Sequence, residues 1–136
     1  MQVRSHLGGK PALIAGRVLS AIAVLFLLMD AAMKLLALPV VLEASGQLGF
    51  AGEGMARALG VLLLFCTLLH LAPRTAVIGA ILLTGYLGGA VAAHARVGSP
   101  LFSHVLFGVY LGVMLWGGLY LRNPRFRAAL GLREYA

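Results

Sequence analysis

Carboxylates are scarce in this chain: 136 residues hold four Asp and Glu against eleven Lys and Arg. Cysteine occurs once, at Cys66, and tryptophan once, at Trp116. A single thiol forms no internal disulfide, and without a CxxC the chain has no dithiol redox centre of its own. Charged residues of both signs make up only 11% of the sequence, hydrophobic residues 61%. A soluble domain of this length needs far more polar surface to cover its core, so the composition excludes that class. The net charge of +7 does not indicate nucleic acid as a partner either. The cations are scattered or terminal, with no interleaved aromatics, and membrane topology accounts for them.

What the chain does have is long apolar runs. Four of them, over residues 14–38, 55–71, 75–95 and 101–121, approach the roughly 20 residues that cross about 30 Å of hydrocarbon. Pro73-Arg74 separates the second from the third, and Arg96-Val97-Gly98-Ser99-Pro100 the third from the fourth. Ser99 is expected to cap the incoming helix, with Pro100 at its first position. Links this short force antiparallel neighbours. The expected fold is therefore an all-α integral membrane protein, an up-down bundle of four transmembrane helices forming one domain over residues 1–136 with a basic tail at 122–136.

The link from Pro39 to Gly54, "PVVLEASGQLGFAGEG", is longer. Val40, Val41, Ala44 and Leu48 share one helical side, and Gly46, Gly49, Gly52 and Gly54 interrupt it. The pattern predicts a short helix that lies at the interface or re-enters the bundle, with a solvated loop as the alternative. Four spans put both termini on one side, with Arg4, Lys10, Arg17, Arg74, Arg122, Arg125, Arg127 and Arg133; Lys34, Arg57 and Arg96 fall on the other. The positive-inside rule then places both termini in the cytoplasm, for a multi-pass protein of the bacterial cytoplasmic (inner) membrane whose first span is an uncleaved anchor.

Within the first span, "LMDAAMKL" carries Asp30 and Lys34 one helical turn apart. Asp30 is 16 residues into the run, about 24 Å along at 1.5 Å per residue. An isolated charge at a helix centre costs roughly 2.5–3.5 kcal/mol on insertion scales, and an acid-first i,i+4 pair lowers that cost; Lys34 can also snorkel outward. Glu53, Arg57, His94, Arg96 and His104 are expected at the same level, with Tyr86 and Tyr110 nearby needing hydroxyl partners. Two readings stay open: a self-neutralised pair that holds span one in register, or one wall of a polar pocket shared with His94, His104 or Arg57. A contact from Asp30 to the third or fourth span would favour the pocket; contact with Lys34 alone would favour the structural pair.

His94 ends the third span and His104 begins the fourth, at similar depth on consecutive antiparallel helices. They are candidates to ligate haem, or to act as proton partners of a quinone, although hydrogen bonding at the interface is the commoner use of such histidines. No metal site is expected. His70 is expected at the membrane edge. Gly85 and Gly89 form one GxxxG and Gly108 and Gly112 another, expected to bring helices together within the bundle or between copies.

Two blocks, "MDAAMKLLALPVVLEASGQLGF" and "PRTAVIGAILLTGYLGGAVAAHARVGSPLFSHVLFGVYLGVMLWGGLYLR", resemble the DoxX-like family of small four-helix bacterial membrane proteins. The resemblance runs from about Arg17 to Arg127. It implies an association with quinol oxidation, thiosulfate–quinone chemistry or oxidative stress, and brings no catalytic signature to transfer residue by residue. The expected function is a non-catalytic accessory subunit of a respiratory, quinone-linked or thiol-stress membrane assembly, not an enzyme on its own. The alternative is a protein that binds or transports a quinone, lipid or solute in the polar pocket; a quinol-linked oxidoreductase using the same pocket is a third. The expected partners are membrane lipids, a redox or respiratory protein and a second copy of the chain, with no nucleic acid.

Overall fold

Run length and helix-ending chemistry explain where each element starts and stops. The structure, a computed structural model, describes residues 9–131; Arg4, Arg133 and the end of the basic tail lie outside them. The elements in order are α1 (Lys10–Leu35), α2 (Pro39–Gln47), α3 (Glu53–Leu71), α4 (Ala76–Arg96), a π-helical turn (Leu101–Val105) leading into α5 (Phe107–Arg122), and α6 (Pro124–Ala129). Helix α1 begins four residues before the predicted run because Pro11, in its first turn, is pre-set for a helix start. It ends in a Schellman turn, in which Leu38 N–H reaches Met33 O (3.2 Å) and Ala37 N–H reaches Lys34 O (3.1 Å). Pro39 then opens α2. The predicted short helix between the first two spans is therefore present.

Lys10–Leu35, Glu53–Leu71, Ala76–Arg96 and Leu101–Arg122 are each long and apolar enough to cross a membrane. Their outward faces carry large exposed apolar side chains, among them Ile14, Leu25, Phe65, Ile81 and Val113. In water such a surface would aggregate; in hydrocarbon it is solvated. The chain is a multi-pass membrane protein. The ends of the bundle are called here the terminal end, where α1 begins and α5 finishes, and the far end, where α2 lies.

Each spanning helix packs chiefly on two neighbours, giving a ring in the order α1, α3, α4, α5 and back to α1. Because lipid is as apolar as leucine, burial drives helix association weakly here, and close van der Waals contact does more. A glycine closes every side of this ring. A Cβ on Gly16 would meet Gly118 O at 2.9 Å (α1–α5), and one on Gly60 would meet Leu35 N at 3.1 Å (α1–α3). A Cβ on Gly79 would clash with the His70 backbone (α3–α4), and one on Gly108 would meet Leu87 O at 3.0 Å (α4–α5).

Within one chain, the predicted packing strips contribute less than expected. Of Gly85, Gly89, Gly108 and Gly112, only Gly108 touches a neighbouring helix; a Cβ on the other three would meet nothing within 4 Å. A GxxxG marks a smooth stripe without saying which way the helix is rotated. Between the glycine contacts lies an apolar core that includes Leu27, Leu63, Cys66, Leu83 and Leu115. Side-chain hydrogen bonds add register: Trp116 Nε1–H donates to Thr84 Oγ1 (2.8 Å), joining α5 to α4. Past Asn123, whose side chain caps α6, the chain folds back so that Phe126 packs on Trp116 with ring centroids 5.6 Å apart.

Candidate functional site

The helices that the glycines draw together elsewhere part at the far end, around a cavity of about 630 Å³. Its walls are Phe26 to Lys34 of α1, Gly85 to His94 of α4, and Phe107, Gly108 and Leu111 of α5, with His104 from the π-helical turn. Helix α2 covers it: Val41 and Ser45 are buried against the bundle, and Val40, Ala44 and Leu48, on the side predicted to be apolar, also line the cavity. Phe26 and Phe107 meet across the wall with ring centroids 5.1 Å apart. Gly85 and Gly89 border the cavity, so the smooth stripe of α4 makes room instead of packing a helix.

Six polar side chains line this apolar chamber: Asp30, Lys34, Ser45, Tyr86, His94 and His104. Lys34 Nζ donates to Asp30 Oδ1, the i,i+4 pair legible in the sequence. Lys34 does not snorkel outward: its side chain is 14% exposed against 38% for Asp30, so the ammonium is folded back onto the acid. Asp30 makes no hydrogen bond to α4 or α5 among the described residues. The pair is therefore bonded within α1 and at the same time part of the cavity wall beside Tyr86 of α4, so it serves both readings.

Backbone turns set the histidines. After α4, Gly98 adopts φ 70°, a left-handed conformation that costs glycine little. This lets Gly98 N–H and Ser99 N–H bond back to Ala95 O and His94 O. The turn brings the Ser99 hydroxyl within 3.0 Å of His94 Nδ1. Ser99 was expected to cap the next helix, but this turn commits it to His94, and no side chain caps the π-helical turn. Pro100 O instead accepts from both His104 N–H and Val105 N–H, 3.1 Å each, which widens the turn. π-helical turns recur at functional sites because they re-aim side chains; this one carries His104.

His104 Nδ1 pairs with Ser103 Oγ (2.7 Å), and the two imidazoles pack edge to face with centroids 5.7 Å apart. Whichever partner donates in each serine bond, Nδ1 is engaged and Nε2 is the nitrogen left for a ligand in the cavity. Rings packed on one another in this way do not enclose a macrocycle between them, so the pair fits hydrogen bonding to a small ligand better than haem ligation. Among the described residues, no group of three or more His, Cys, Asp or Glu could hold a metal ion.

Three predicted site residues do not line the cavity. Arg57 is turned out from α3 and pairs with Glu53 at 3.3 Å, both well exposed; the inward face of α3 belongs to Ala56 and Gly60, about 60–100° around the helix. Arg96 donates to Leu48 O (2.8 Å), tying the end of α2 to the end of α4. Tyr110 faces out and donates to Phe102 O (2.9 Å). Depth alone placed all three at the right level, but helix rotation turned them away.

His70 is the largest departure from expectation. Predicted at the membrane edge, it is 0% exposed. Its Nδ1–H donates to Ala76 O (2.9 Å), and its Nε2 lies 3.5 Å from Arg122 Nη2. Arg122 Nε–H donates to Ser20 Oγ (3.0 Å). Ser20, His70, Ala76 and Arg122 come from α1, α3, α4 and α5, so this polar cluster touches all four spans. The sequence does carry a signal for it: each residue falls within three turns of a terminal-end helix boundary.

A polytopic four-helix bundle with a covered, mostly apolar cavity at one end defines a class of small membrane proteins. Within that class the chain belongs to the DoxX-like family, whose model matches residues 18–118. No curated protein and no solved structure matches it.

Proposed function

We propose that this protein holds an apolar small molecule with one hydrogen-bonding end, of the quinone class, in the far-end cavity. The observation that supports this is the chamber itself: about 630 Å³, walled by apolar side chains, with Lys34, Tyr86, His94 and His104 offering polar contacts. Ligand sites for molecules of drug size typically have this volume and this sparse polar lining. A quinone carbonyl needs donors: Lys34 and Tyr86 are of that kind, and so is each imidazole Nε2 when its serine donates to Nδ1. On this reading the protein holds or presents the ligand to a respiratory, quinone-linked or thiol-stress assembly without carrying out the redox step. The one cysteine, Cys66, is buried in the core and does not line the cavity.

Purification in lipid nanodiscs followed by mass spectrometry of the extracted small molecules tests this. Wild-type protein is expected to carry a quinone well above the level in empty nanodiscs. Gly89→Phe projects a ring into the chamber from a position that borders it and where an added Cβ meets nothing within 4 Å. It is expected to keep the fold and lose about tenfold or more of the bound ligand, the scale of excluding a buried apolar ligand by overpacking. Equal ligand content in Gly89→Phe, or none above background in wild type, would overturn the reading.

The orientation proposed with it puts both termini in the cytoplasm and the cavity toward the outer face. Its support is the cation imbalance, with Lys10, Arg17, Arg74, Arg122, Arg125 and Arg127 at the terminal end against Lys34, Arg57 and Arg96 at the far end. A reporter fused to the C terminus that is active only outside the cytoplasm is expected to stay inactive; activity there reverses the orientation.

A further inference from the structure

We propose that a second site, at the terminal end, binds a phosphate group. A cleft of about 390 Å³ opens there between the α3–α4 turn and the joint of α5 and α6, lined by Pro73, Ala76, Arg122, Asn123, Pro124 and Arg125. Two arginines, Arg122 and Arg125, thus line one concavity.

The first is held in place from behind. Ser20 accepts from Arg122 Nε–H at 3.0 Å. Because Ala76 O can only accept, His70 Nδ1 carries the proton in that bond, and its Nε2 lone pair is turned to Arg122 Nη2 at 3.5 Å. A guanidinium has five N–H donors. These two contacts occupy two of them, and the other three have no side-chain partner among the described residues. Fixing Arg122 in advance removes most of the side-chain entropy that ligand binding would otherwise cost.

No acid at this end balances that charge among the described residues. Asp30 is paired with Lys34 and Glu53 with Arg57, both at the far end, and Glu43 is on α2; Glu134 lies outside the described residues. The other cation of the α6 segment is committed elsewhere: Arg127 Nη1 donates to Tyr120 O (3.1 Å) and Leu121 O (2.9 Å), closing the end of α5. Arg125 is therefore the arginine of that segment left to work with Arg122. A half-buried guanidinium with free donors and a second beside it matches the tetrahedral oxygens of a phosphate, which accept charge-assisted, often bidentate, hydrogen bonds.

Two sources present that chemistry: the headgroup of an anionic phospholipid in the adjacent leaflet, and a soluble phosphate or phosphate ester. Native mass spectrometry of the protein in mixed phosphatidylglycerol and phosphatidylcholine reads the first. Titration of detergent-solubilised protein with inorganic phosphate, followed by calorimetry, reads the second. Wild type is expected to retain phosphatidylglycerol or to bind phosphate, and whichever arm responds names the source. Arg125→Gln, which leaves the Ser20–Arg122–His70 contacts intact, is expected to weaken that binding about fivefold, and Arg122→Gln about tenfold or more. Arg17→Gln, an exposed cation that does not line the cleft, is expected to change it little. Should Arg122→Gln fail to fold, Arg125→Gln decides alone. No response in either arm, unchanged binding in Arg125→Gln, or an equal loss in Arg17→Gln overturns the proposal. The Gly89→Phe variant of the far-end cavity is expected to leave this binding intact, so the two sites stand or fall separately.

Discussion

Gly79→Ala is expected to destabilise the bundle by about 3 kcal/mol or to prevent its assembly, the upper end of what overpacking costs. The added Cβ would lie 2.5 Å from the Cα of His70 and 2.8 Å from its Cβ, with the backbone nitrogen closer still. These are backbone and near-backbone atoms, so no rotamer change relieves the clash. Helices α3 and α4 would have to move apart, yet the Pro73-Arg74 turn joins them only a few residues away. Separation would also break the bond from His70 Nδ1 to Ala76 O and loosen the partner of Arg122. Gly112→Ala is the natural comparison, since a Cβ there meets nothing within 4 Å. It is expected to be neutral or to gain about 0.5–1 kcal/mol from the helix preference for alanine. Unfolding in mixed micelles, followed by circular dichroism, reads both. Equal transitions for the two variants would mean that α3 and α4 do not cross as closely as described.

Lys34→Met is expected to cost about 2–3 kcal/mol, because it strands Asp30 in a span without its cation. The cost of an acid at a helix centre sets the scale. The exposure of Asp30 toward the cavity keeps the cost below that of a fully buried broken pair. The double variant Asp30→Leu/Lys34→Met removes both charges and is expected to recover most of that loss, since an apolar pair avoids the desolvation that an ion pair suffers. The same micelle titration measures the recovery. If Lys34→Met alone unfolds like wild type, the pair contributes nothing to the bundle. Ligand content adds a second readout: a double variant that is stable but emptied of ligand would show that the pair also serves the cavity.

How much of this was legible in advance varies residue by residue. The Asp30–Lys34 bond was legible because i,i+4 spacing on one helix guarantees proximity whatever packs around it. The covering face of α2 was legible for a similar reason, since four apolar residues at helical spacing share a side. Arg57, Arg96 and Tyr110 illustrate the opposite case. Their depth followed from position along a span, but depth does not say whether a side chain points to the bundle or away from it. His70 shows the same blindness from the other direction: near a helix end by count, it is enclosed because α4 crosses α3 there on Gly79. The histidine pair needed both kinds of information. Its shared level could be counted, whereas its edge-to-face contact depends on the Gly98 turn and on the π-helical turn after Pro100.

The sequence by itself determined that this is a membrane protein, with four spans, a short helix between the first two and an ion pair within the first. Each of these depends on composition over a run of about 20 residues or on the fixed geometry of a single helix. Only the tertiary structure decided the ring order, the rotation of each helix, which glycines close its crossings and which border a cavity. In lipid every face of a span is apolar, so the hydrophobic pattern that orients a helix in a soluble protein is nearly silent. Close contacts between particular small residues orient the helices instead, and those exist only once the partners have met.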